Sequence, residues 1–292
     1  YLGAYDMPWH QGDWYEFYVP IEALAYDFGL PAFDTHNITA VRFFSLLAQD
    51  GHNATITMNQ LGWCESKLKY PTVILRQDDS TSGSTGVYSL LEKSLDRYGM
   101  SASVCLNYDG AELWNAYTKK LNDKGHDIVM HGWLHDGFGS KSVTEAGKRE
   151  AQRDMIKWLT VSRACGLGGK YRWICSPGGG GEKTIGSRIQ SQYFHANMNG
   201  GARAMGMCVW PPPTFSSLGQ AQINVTHATG VAAWEGYIHT LVAAGNPLAI
   251  WYWHPGEWTF DQTDIDTVID HAVQHGVQFK TLSELADEYG FV

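Results

Sequence analysis

The sequence predicts an α/β fold: a distorted (β/α) barrel of seven or eight parallel strands, built as one domain with an N-terminal arm. Three observations predict it. From residue 37 onward, short apolar runs alternate with helix-like stretches, and strands joined by helical crossovers lie parallel. The chain has 292 residues, a normal length for a single α/β barrel. No Gly-rich GxGxxG follows the first strand, which argues against the rival open sheet that binds dinucleotides.

Residues 1–36 are aromatic, interrupted by Gly and Pro, and have no clear period; they read as an extended arm packed on the barrel domain at 37–292. In the barrel, 54–58 reads as a strand and PTVILRQ at 71–77 as a β-branched one. A helix is expected at 86–98, where Val87, Leu90, Leu91 and Leu95 recur at helical spacing before Gly99. Then come a strand at 102–106, a helix at 112–124, a strand at 126–130 and a long helix at 143–164. A strand at 171–175, a helix at 182–193 and a short strand at 207–210, stopped by three prolines, follow. The last units are a helix at 231–244, a strand at 247–253, a helix at 263–275 and a strand at 278–280. Thr281-Leu-Ser-Glu284 fits a capping box that opens a final helix.

Composition narrows the function. The net charge of −9 repels a polyanion, so nucleic acid is a poor partner. No apolar run approaches the length of a membrane span. Five cysteines without a CxxC pair argue against zinc ribbons and redox motifs. Three sequons, at Asn37, Asn53 and Asn224, point to a secreted or extracellular protein.

Polar residues end four of the expected strands. Asp78 and Asp79 end PTVILRQ; His131 ends HDIVM, with His135 four residues on; Ser176-Pro177-Gly178 ends YRWIC; His254 ends PLAIWYW. In a parallel barrel all strand C-termini open on one face, so these residues converge. Separately each has a plain explanation: Asp pairs make turns, and paired histidines sit on surfaces. Together they supply a chemistry. A catalytic zinc takes three ligands from His and Asp or Glu and keeps a position for water. A further carboxylate serves as general base and a further His as general acid.

These residues resemble the polysaccharide-deacetylase superfamily (NodB-like, carbohydrate esterase family 4). The first motif of that family is a strand ending in two aspartates, here Gln77-Asp78-Asp79. The second is an HxxxH led by Gly-His and an apolar strand, here GHDIVMHGWLHD at 125–136. The last is an apolar strand ending in His, here AIWYWHP at 249–255, followed by TLSEL. The resemblance covers about residues 70–292. It implies that Asp79, His131 and His135 hold a divalent metal, most simply Zn²⁺ with Co²⁺ or Ni²⁺ as alternatives. It further implies that Asp78 activates water and that His254 protonates the leaving group. A backbone N–H near Trp133 or Leu134 would help hold the attacked carbonyl.

Two departures stand out. Cys175 occupies the place where the family's third motif carries the Arg that orients the base, and Arg172 lies three residues earlier. Trp210 matches half of the fourth motif, without its Asp. These changes resemble the allantoinase-like branch, whose members act on other C–N bonds. Trp133, Trp253 and Trp258 are candidates to stack on sugar rings, with Trp133 and Trp258 favoured because they lie in polar loops. Pro177 and Gly178 open a glycine-rich loop that lets substrate approach.

The expected function is removal of acetyl groups from an N- or O-acetylated polysaccharide. The alternatives are an amidohydrolase-like enzyme on a small amide or cyclic ureide, and an inactive glycan-binding module on the same fold.

Overall fold

The computed structural model describes residues 66–80, 93–107, 116–135, 144–167, 169–177, 189–198, 207–212, 218, 222–224, 230–254 and 261–291. The expected arm at 1–36, the strand at 54–58, Gly178 and Trp258 lie outside these residues, as does the side chain of Asp79.

Among the described residues, eight strands form one sheet. They are β1 (Thr72–Ser80), β2 (Ser103–Leu106), β3 (Asp127–Met130), β4 (Trp173–Ile174), β5 (Ala196–Asn197), β6 (Gln222–Asn224), β7 (Leu248–Trp253) and β8 (Gln278–Phe279). Their order is β5-β4-β3-β2-β1-β7-β6, with β8 beside β1. Every pair is parallel, as the alternation of apolar runs and helices predicts. Among the described residues no pairing joins β5 to β6, so the described strands form a partial barrel. Around it lie α1 (Ala116–Asp123), α2 (Glu145–Ala164), α3 (Val231–Ala243), α4 (Gln262–Gln274) and α5 (Leu282–Tyr289). Residues 93–98 are helical too, the described end of the helix expected at 86–98.

Alternation along the strands sorts their side chains into two cores. Val73, Leu75, Val104, Leu106, Met130, Trp251 and Trp253 face the helices, packing with Met155 and Trp158 of α2, Ile238 of α3 and Ile269 of α4. Ile74, Cys105, Val129, Trp173, Cys175 and Ile250 face the interior of the half-barrel, where Leu282 and Leu285 of α5 join them. Trp158 Nε1 donates to Leu106 O at 3.0 Å, fixing α2 to the end of β2. The capping box predicted at Thr281 is present: Glu284 N–H donates to Thr281 Oγ1 at 3.2 Å, and Thr281 N–H to Glu284 Oε2 at 2.7 Å.

Two expectations change. Residues 207–210 are not a strand of the sheet; Cys208 makes a single antiparallel bridge to Leu248. Pro211 and Pro212 follow at once, and neither has an N–H to extend a ladder. The sheet instead takes in β5 and β6, of two and three residues, too short for any periodicity to reveal.

Candidate active site

The C-terminal ends of β1, β3, β4 and β7 carry the residues singled out above. Asp78 and His131 are buried, at 3% and 2% exposure. Asp78 is held by Arg76, two residues earlier on the same face of β1. Arg76 Nε donates to Asp78 Oδ1 and Nη2 to Oδ2, both at 2.7 Å. The third nitrogen, Nη1, donates to Met198 O at 2.6 Å, just beyond β5. Burial opposes a charged guanidinium, but Asp78 outweighs it, so Arg76 is protonated even more firmly than usual. Arg76 therefore holds both oxygens of Asp78 from within β1 itself, not from the strand that carries Cys175. Arg172 does not: it is exposed, and its backbone N–H donates to His195 Nδ1 at 3.0 Å.

Cys175, in the place of that Arg, lies beneath the aspartate. Its Sγ is 3.8 Å from Asp78 Oδ1, where the S–H donates weakly. Cys105 lies beside it, its thiol held well above the ordinary range by burial and by its hydrogen bond to Cys175. That bond and Arg76 favour a Cys175 thiolate against its burial. Because Asp78 already matches the charge of Arg76, we assign Cys175 the neutral thiol. A carboxylate offers about four acceptor positions. Among the described residues, Oδ1 receives Arg76 and Cys175 and Oδ2 receives only Arg76, which leaves a lone pair on Oδ2.

The register of β1 shifts against β2 between Gln77 and Ser80, across Asp78 and Asp79. A regular strand sends neighbours to opposite faces, and bulges of this kind re-aim side chains beside active sites.

His131 leaves β3 with its Nδ1 2.8 Å from the Cys175 carbonyl. With Nδ1–H donating there, Nε2 keeps its lone pair, the arrangement usual for a metal-binding imidazole. The His135 ring is 5.4 Å from that of His131. Between them Gly132 has φ +96°, and a Cβ there would meet Leu134 O at 2.7 Å and Pro177 Cγ at 3.2 Å. Only glycine fits this turn, and buried Pro177 is packed against it. Ser176 Oγ accepts from Gln190 Nε2 at 3.1 Å and Asn197 Nδ2 at 3.3 Å, anchoring the segment whose carbonyl holds His131. The Gly-His that leads the motif is structural: Gly125 has φ +88°, and His126 Nδ1 accepts from Ala102 N at 3.0 Å.

On β7, Tyr252 pairs with Arg76 and Trp253 with Gln77, so His254 follows Trp253 just as Asp78 follows Gln77. Half-buried His254 has its ring 5.9 Å from Tyr252, whose own ring lies 4.7 Å from Arg76 Cζ. Tyr252 is thus an aromatic residue of this face, between Arg76 and His254, and sequence reasoning missed it. Trp253 is corrected: it is 0% exposed in the core beneath the helices and offers no surface to a sugar. Trp133 is half-buried, with Lys157 Nζ 5.4 Å from its ring centre.

The donor set suits a divalent ion. Two imidazoles stand side by side, the buried one fixed in the ligating tautomer, and a strand ending in two aspartates leads into the same face.

A buried carboxylate held by arginine and a pair of neighbouring imidazoles thus stand at the C-terminal ends of parallel strands of a half-barrel. Residues 65–195 match the polysaccharide deacetylase family model. Over that segment the chain is similar to the polysaccharide deacetylases. No curated protein matches the sequence. Among solved structures, the chain is similar to a family 4 acetyl xylan esterase from Clostridium thermocellum in complex with a cobalt ion, at 16% identity and TM-score 0.44, covering 76% of this chain and 93% of that one. It is similar to PdaA of Bacillus subtilis, a family 4 carbohydrate esterase, at 14% identity and TM-score 0.48, covering 77% and 85%. It is also similar to a family 4 pseudoenzyme from Bacillus anthracis, at 14% identity and TM-score 0.46, covering 75% and 66%. At these identities the likeness does not extend to substrate, and none of the three bears on the allantoinase-like branch.

Proposed function

We propose that this protein is a metal-dependent hydrolase that removes acetyl groups from an N- or O-acetylated polysaccharide. The observation that carries the reading is the bidentate Arg76–Asp78 pair beside a His131 fixed in its ligating tautomer. An inactive binding module has no need of a buried carboxylate held in one orientation with a lone pair still open.

Asp79, His131 and His135 would hold the ion. Zn²⁺ suits this set best, and when bound it would supply Lewis acidity that lowers the pKa of water toward neutral. Asp78 accepts the proton of the attacking water at Oδ2, while Arg76 prevents the carboxylate from turning away. His254, one strand over, gives a proton to the departing sugar nitrogen or oxygen. A backbone N–H near Trp133 or Leu134 would help hold the developing oxyanion. A polymeric glycan substrate agrees with a secreted protein. No described helix is long and apolar enough to cross a membrane.

The test combines acetate release from acetylated xylan and N-acetylated oligosaccharides with metal analysis. The intact protein is expected to release acetate. His131→Ala should lose both the catalytic metal and activity. Asp78→Asn should keep the metal and lose about 10²–10⁴-fold in rate. Acetate release undiminished in Asp78→Asn would remove Asp78 as the base. Turnover of small amides alone would move the substrate to the second class.

A further inference from the structure

The HxxxH spacing occurs again at the end of α4, as His271 and His275. There it sits on a helix, where residues four apart share a face. α3 packs against α4 and brings His239 to the same place. Ring centres are 4.3 Å apart for His271 and His275, 4.8 Å for His239 and His275, and 5.3 Å for His239 and His271. One ligand atom of each lies within 4.8 Å of the others.

Three further details distinguish this cluster from surface rings in casual contact. His275 Nδ1 is 2.9 Å from His271 O; with Nδ1–H donating there, Nε2 keeps its lone pair. His271 Nε2 is buried and has no hydrogen-bond partner among the described residues. A buried polar atom left without a partner is destabilising unless something engages it. The other nitrogen of His271 faces Glu235 Oε1 at 3.9 Å, so a carboxylate stands behind the ring, as it often does behind metal-bound imidazoles.

We propose that His239, His271 and His275 form a second metal site, separate from the strand-end centre. It takes a divalent transition ion of the zinc, nickel or copper kind, which imidazole ligands suit. Three imidazole nitrogens hold the ion, a fourth position is left to water, and Glu235 offsets its charge. Because the ligands come from two helices, binding clamps α3 to α4.

Equilibrium dialysis against zinc, with elemental analysis, tests this on the whole chain. His239 and His275 are both exposed, so His239→Gln with His275→Gln leaves the core untouched. The double variant should bind about one ion fewer per chain than the parent. His131→Ala should still take up zinc, and zinc should raise its Tm. Adding the two Gln substitutions to His131→Ala should abolish both effects. Equal uptake with and without the two Gln substitutions overturns the proposal. So does uptake that appears only at millimolar zinc, which marks loose surface histidines.

Discussion

Asp78 and Asp127 are buried carboxylates at opposite ends of the half-barrel, and they are treated in opposite ways. Asp78, at the C-terminal end of β1, has an arginine across both of its oxygens. Asp127, which opens β3, receives the Ser283 N–H at 3.2 Å, and no cation pairs with it among the described residues. Burial pushes its carboxyl up to about 6, and Glu284 adds to this; hydrogen bonds from Ser283 and Leu282 recover only part. The difference teaches where the molecule spends its charge. At the strand C-termini a carboxylate is kept charged and fixed by arginine. At the N-termini a carboxyl serves to receive the first turn of α5.

The comparison can be broken at either end. Arg76→Met turns Asp78 into a buried, unpaired carboxylate, and should cost about 3–5 kcal/mol in urea denaturation. Acetate release should fall with it. A second substitution, Asp78→Asn, removes the charge and should recover most of the stability but none of the activity. A loss below about 1 kcal/mol in the single variant would mean that the pair is not buried as described.

Asp127→Asn sharpens the comparison from the other end. Between pH 3.8 and about 6 the folded protein keeps a proton that the unfolded chain has released. Stability therefore falls as pH rises through that window, by up to about 3 kcal/mol from this group. The Asn variant can still accept from Ser283 and should lack that fall, so melting curves at pH 4 and pH 8 should differ less than for the parent. Thr281→Ala should have the smallest effect. It removes one half of the capping box beside Asp127, and should lower stability by about 1 kcal/mol with acetate release unchanged.

The elements legible in the sequence were those with enough residues to show a period. β2, β3, β7, α2 and α4 lie within a residue or two of their expected bounds, β1 runs three residues past its expected end, and the Thr281 cap is where its motif puts it. β5 and β6 depend on neighbouring strands rather than on pattern. The pairing of His131 with His135 followed from motif and topology. Arg76 could have been found from strand alternation, since it is two residues from Asp78 and shares its face. Tyr252 follows by the same step back from His254. Trp253 was placed by its nearness in sequence to His254, and a strand sends such a neighbour to the opposite face. His271 and His275 carry the spacing that marked His131 and His135. What the sequence could not supply was His239, which only the packing of α3 on α4 brings to them.

One consequence follows from the way β8 and α5 close the interior. β8 pairs with β1 only at Thr72 and Val73, and Leu282 and Leu285 then enter the interior core without any exposure. These residues follow every other described strand and helix along the chain. During synthesis, the apolar inner surface of the half-barrel is therefore wet until its last two elements have emerged. That interval, rather than the finished fold, is when this protein most needs protection from aggregation.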